Sequence, residues 1–144
     1  MIGLRYAALV ILALSLLPWT GCASSRASNP GTYRAELGRA PNAQTMAGIS
    51  AEVLQLYGYE IELVEADLVQ GGWRYLPDGV RDRATVRVRP RANDLFNGSI
   101  RIVVEEQGPS GSWQPARPSS ELREEYARIQ KDVRTRLQRF MTQN

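Results

Sequence analysis

Histidine is absent from this 144-residue chain, cysteine occurs once, at Cys22, and lysine once, at Lys131. With a single thiol there is no disulfide framework. Without imidazole, and with no thiol beyond Cys22, the usual thiolate and imidazole metal sites, Ser-His-Asp triads and Cys-His dyads are excluded. Most side-chain enzymes thereby lose their customary general base. Long apolar runs are also scarce. The one that exists, Tyr6 to Leu17, is broken only by Ser15 and ended by Pro18. At about twelve residues it falls short of the roughly 20 that a helix needs to cross a bilayer. No internal repeat is present.

What is there begins at this run. Arg5 and the amino terminus give it a positive start, and Leu17-Pro18-Trp19-Thr20-Gly21-Cys22 follows. A charged start, a short apolar segment and small residues before a break form the pattern of a cleavable signal. The segment resembles the signal peptide and lipobox of bacterial lipoproteins. Thr20 and Gly21 match the small residues before the family's cysteine, and Trp19 stands where the family usually has an aliphatic residue. The resemblance implies a signal peptide over residues 1–21 and a diacylglycerol thioether on Cys22. It also implies a membrane anchor, since two or three acyl chains hold stably where one does not. Ala23, where an Asp would retain such a protein in the inner membrane, implies transfer to the outer one. An ordinary secretory signal and an uncleaved anchor are the alternatives.

Removing residues 1–21 leaves 123 residues, one domain at most with a modest core. The cations are 17 arginines and Lys131, and the net charge of the full chain is only +3. The pI near 9.3 reflects arginine more than an excess of cations, and an exported chain of this kind does not point to nucleic acid.

Residues 23–41 are rich in Ala, Ser, Gly, Pro and Asn and read as a flexible tether between the lipid at Cys22 and a domain over residues 42–144. Asn42 caps a first helix to about Tyr57, with Met46, Ile49, Val53 and Leu56 as its apolar stripe and Gly58 as its stop. Tyr59 to Val69 reads as a strand with a bulge at Leu63-Val64, where the alternation changes phase. Gly71-Gly72 reads as a tight turn into a short strand from Trp73 to Leu76, and Pro77-Asp78-Gly79 as a second turn. Val80 to Arg89 alternates most cleanly, with Val80, Ala84, Val86 and Val88 on one side and Arg81, Arg83, Thr85, Arg87 and Arg89 on the other. Asp82 interrupts the apolar side. A further strand spans Leu95 to Glu106, a loop spans Gly108 to Pro118, and Ser119 or Ser120 caps a last helix. Leu122, Tyr126, Ile129, Val133, Leu137 and Phe140 form that helix's stripe.

The expected fold class is α+β. We expect a two-layer sandwich of an antiparallel sheet of three to four strands, with an N-terminal and a C-terminal helix on one face. The other sheet face is then solvated and charged.

On that face Arg81, Arg83, Arg87 and Arg89, with Arg101 and Arg74 from neighbouring strands, are the foremost candidate site, because guanidinium forks bind carboxylates and phosphates bidentately. Anionic lipid headgroups, glycan phosphates and an acidic protein surface fit that chemistry. Against this, Glu60, Glu62 and Glu105 can face the same arginines in exposed pairs that imply no partner. Trp73, Tyr75 and Trp113 read either as contact residues or as the closing edge of a small core. Glu60 and Glu62, two residues apart with Glu65 and Asp67 nearby, have a spacing compatible with glycoside hydrolysis and equally with a solvated strand. These oxygens can also hold calcium, but EF-hand spacing is missing. No cofactor is expected. Asn97-Gly98-Ser99 fits a glycosylation sequon by composition, yet a turn or strand start suits it better. In layout alone, helix–sheet–helix resembles the small domains of outer-membrane assembly lipoproteins. The expected function is non-catalytic: a membrane-anchored binding, scaffold or assembly accessory with an envelope protein partner and no nucleic acid. A ligand-binding or sensing domain and an envelope glycan hydrolase are the alternatives.

Overall fold

A computed structural model describes residues 30–143, so the expected signal peptide and the expected lipid site at Cys22 lie outside the described residues. The fold is α+β. Along the chain come β1 (Thr32–Ala40), α1 (Ala43–Leu56), β2 (Ile61–Val64), β3 (Leu68–Gly71), β4 (Arg74–Leu76), β5 (Val80–Pro90), β6 (Phe96–Gln107), β7 (Trp113–Pro115) and α2 (Ser120–Gln143). One antiparallel sheet takes all seven strands, in the order β1-β6-β5-β3-β2, with β4 on the edge of β5 and β7 on the edge of β6. Three to four strands was therefore too few.

The largest difference is β1. Thr32–Ala40 is a nine-residue strand paired with β6, not part of a tether. Tyr33, Ala35 and Leu37 alternate with Arg34 and Glu36, so one side of the strand can be buried. Leu37 is the extra residue of a bulge, with Glu36 opposite Ser99 and Gly38 opposite Gly98. The bulge changes phase, so that Ala40 is buried and Arg39 is exposed. A second bulge replaces the turn expected at Gly71-Gly72. The chain runs on along β5, with Gln70 opposite Thr85 and Arg74 opposite Asp82, which leaves one residue extra on the β3–β4 side. The strand expected from Tyr59 to Val69 is a hairpin, since exposed Glu65, Ala66 and Asp67 turn the chain between β2 and β3.

Both helices start where expected. Asn42 Oδ1 accepts from the Thr45 amide at 2.7 Å and Ser119 Oγ from the Leu122 amide at 3.2 Å. Gly58, at φ +86°, follows the end of α1. The buried side of α1 is Met46, Ala47, Ser50, Ala51, Val53 and Leu54, whereas Leu56, expected in the stripe, is 70% exposed. From α2 come Tyr126, Ile129, Val133 and Leu137. These meet Ala84, Val86 and Val88 of β5 and Ile100, Ile102 and Val104 of β6 in one core. Helix and sheet close tightly at Gly98, where an added Cβ would lie 2.5 Å from Met46 Sδ. No helix among the described residues is long and apolar enough to cross a membrane.

Candidate functional site

Arginine appears on both faces of the sheet in opposite circumstances. On the helix-covered face the residue that interrupts the apolar row of β5, Asp82, is fully buried. An unpaired carboxylate there would be costly, and its partners are complete. Arg74 Nε reaches Oδ1 at 3.0 Å, Arg74 Nη2 reaches Oδ2 at 2.6 Å, and the Tyr126 hydroxyl donates to Oδ2 at 2.7 Å. Arg74 also donates to the Tyr57 carbonyl at 2.7 Å, pairs with Glu125 at 2.7 Å and lies 4.4 Å over the Tyr59 ring. Burial, the largest single influence, lowers the Arg74 pKa, but the Asp82 hydrogen bonds and charge, Tyr59 and Glu125 together outweigh it and the net direction is up. Burial, then the Asp82 charge, pushes the Tyr59 and Tyr126 hydroxyls well above the ordinary tyrosine value. Arg74, expected beside the exposed arginines, thus belongs to the core side, because its register partner is Asp82.

The opposite face is open, and it is concave. Its trough, of about 960 Å³, is lined among others by Arg34, Glu36, Gln70, Trp73, Arg83, Thr85, Arg87, Arg89, Ser99, Arg101 and Glu105. Strand register places the charges. Arg34 of β1 lies directly opposite Arg101 of β6, which lies opposite Thr85 of β5. In the next row Glu36, Ser99 and Arg87 stand side by side, and in the row beyond, Arg39, Asn97 and Arg89. With strands ~4.8 Å apart and alternate residues ~6.8 Å apart, these cations cover a field of about 10 by 14 Å. Arg34, Arg39, Arg87, Arg89 and Arg101 are exposed. Among the described residues none of the five has an ion pair or side-chain hydrogen bond.

Arg81 and Arg83, expected in the same stripe, are engaged. Arg81 Nε and Nη2 both reach Glu105 Oε2, at 2.8 and 2.6 Å, and its guanidinium lies 4.0 Å from the Trp73 ring and 4.2 Å from the Trp113 ring. Arg83 pairs with Glu62 at 2.7 Å and donates to the Gly71 carbonyl at 3.0 Å. Tyr75 meets Trp113 edge-on at 6.0 Å and is 68% exposed. Two of the three glutamates expected to face the arginines, Glu62 and Glu105, do so. They neutralise one end of the face and leave the other end cationic.

Of the four carboxylates weighed for catalysis, Glu62 is held by Arg83 and Gln70, and Glu65 and Asp67 sit in the β2–β3 turn. No group of three or more carboxylates that could hold a metal ion occurs among the described residues. Arg34, Arg39 and Glu36 are absent from the expected site because they lie on β1, in the stretch expected to be a tether. Their signal was the alternation with Tyr33, Ala35 and Leu37. No protein-family model matches the chain, and comparison with curated proteins finds no match.

Proposed function

We propose that this protein is a membrane-anchored envelope lipoprotein whose domain works as a non-catalytic binding or assembly accessory, docking an acidic protein partner on the open face of its sheet. Residues 1–21 are its signal peptide and Cys22 its lipidated residue, in the outer rather than the inner membrane and facing the periplasm. Helices on one face and solvent on the other make the domain a two-layer sandwich with one layer left for contact.

The observation that carries this reading is the set of arginines at 34, 39, 87, 89 and 101, without ionic partners among the described residues. Like charges directly opposite each other, as Arg34 and Arg101 are, destabilise a sheet. A fold that keeps them unneutralised has charge in place for a second molecule. Every cation on this face is arginine, and tryptophan and tyrosine adjoin it. Protein interfaces are enriched in these three residue types and depleted in lysine.

A photoreactive residue in place of Thr85, at the centre of the trough, tests this in the intact envelope. The expected result is one dominant acidic envelope protein crosslinked to the native sequence and lost from Arg87→Glu/Arg101→Glu. An unchanged crosslinking pattern in that variant would overturn the docking reading. In the same preparation, the N-terminal peptide should begin at Cys22 and carry the mass of diacylglycerol.

A further inference from the structure

The aromatic end of the open face is chemically unlike its cationic end, and it lies where the chain joins the sheet. The Gly31 carbonyl accepts from the Val104 amide at 2.8 Å, and a Cβ on Gly31 would stand 3.0 Å from Pro115 Cβ. The chain therefore arrives in contact with β7. That strand opens with Trp113, which touches Tyr75 and stacks on Arg81. Leu56, 70% exposed, closes α1 one residue before the Tyr57 carbonyl that binds Arg74.

Gly31 follows Cys22 by nine positions. Even fully extended, that stretch spans no more than about 30 Å. A domain of this size is itself roughly 30–35 Å across. A lipid on Cys22 consequently holds the domain within its own width of the bilayer, by the end that carries β7.

We propose that Tyr75, Trp73 and Trp113 around Arg81 form a membrane-contact surface that rests in the headgroup layer of the bilayer holding the Cys22 anchor. Tyrosine and tryptophan favour that layer because the ring is apolar and its polar tip remains wet. Arg117 is exposed just past β7, while Asp78 and Glu106 at this end carry the opposite charge. The rings therefore set the contact, not net charge, and it holds equally on zwitterionic and anionic lipid. The arginine trough is then turned sideways to the membrane, open to a partner. The inference rests on lipidation of Cys22 and is independent of what the trough binds.

The test uses the lipidated protein purified from envelopes and reconstituted alone into phosphatidylcholine vesicles. Hydroxyl-radical oxidation is read by mass spectrometry, each residue scaled to the urea-unfolded chain. Met141, 43% exposed, is the internal reference. Helix α2 passes Asp82 at Tyr126 and Gly38 at Arg134, so Met141 sits at the far end of the domain. Tyr75 should be protected severalfold relative to Met141, with or without added phosphatidylglycerol. Tyr75→Glu should raise oxidation of Trp113 while Cys22 keeps its lipid. Tyr75 oxidised as readily as Met141, with Cys22 lipidated, would overturn the membrane contact alone. Unmodified Cys22 would overturn the anchor and the contact together.

Discussion

The two faces of one sheet treat arginine in opposite ways. On the covered face, Arg74 is forked onto a fully buried carboxylate, and a tyrosine hydroxyl completes the site. On the open face, Arg34 and Arg101 lie opposite each other with no acid between them. Burial explains the difference. A charge taken out of water must be paired and hydrogen-bonded, or it destabilises the fold by several kcal/mol. An exposed charge is stabilised by solvent and is left free for a later contact. For these two arginines the role follows from the register partner: Asp82 for Arg74, another arginine for Arg34.

Substitutions can break or sharpen this contrast, beginning with the largest effect. Asp82→Ala leaves the Arg74 guanidinium without its fork and should lower unfolding stability by about 3–5 kcal/mol, measured by urea titration. Near-native stability would show that Glu125 alone is a sufficient partner.

Tyr126→Phe should cost about 1.5–3 kcal/mol through the lost bond to a charged acceptor. The same variant carries a pH signature. Tyr126 has its pKa raised in the folded state by burial and then by Asp82, from an ordinary value of 10.0. The folded state thus keeps protons that the unfolded chain releases. Its contribution is fully present below about pH 10 and is lost as pH rises beyond that. Thermal melts of the native sequence should fall steeply above about pH 10, and less steeply for Tyr126→Phe.

Gly98→Val sharpens the contrast from the packing side. It drives a side chain into Met46 at the sheet–helix contact and should cost about 1–3 kcal/mol, with part of the loss restored by Met46→Ala. The smallest effect is expected on the open face. Arg101→Ser removes a like-charge pair and should raise stability by about 0.2–1 kcal/mol, a gain that shrinks as salt is added.

How much of this was legible in the sequence differs by element. The strands β5 and β6 and both helices stood out because period-two and period-3.6 patterns with large apolar residues leave few alternatives, and Asn42 and the Ser119-Ser120 pair marked the helix starts. Strand β1 was hidden because two of its core-facing positions, half-buried Ala35 and buried Ala40, are alanine and its bulge at Leu37 breaks the alternation after only a few residues. Reading it as tether removed Arg34, Arg39 and Glu36 from the site and lengthened the linker. β7 is three residues among glycine, proline and serine, and only its pairing with β6 makes it a strand. Gly71-Gly72 is equally apt for a turn and for a bulge, and pairing of both flanks with β5 decided between them. Asp82 was visible as an exception in its row, but its partner Arg74 was not. Which face that arginine joins depends on the extra residue at the bulge.

The central claim is that the open-face arginines are not needed by the fold and are retained for a partner. Its most direct test is urea unfolding at low salt of the variant with Arg34, Arg87, Arg89 and Arg101 all replaced by serine. We predict an unfolding midpoint equal to or above that of the native sequence. A clear fall in the midpoint would mean that these arginines hold the sheet together, and would contradict the account.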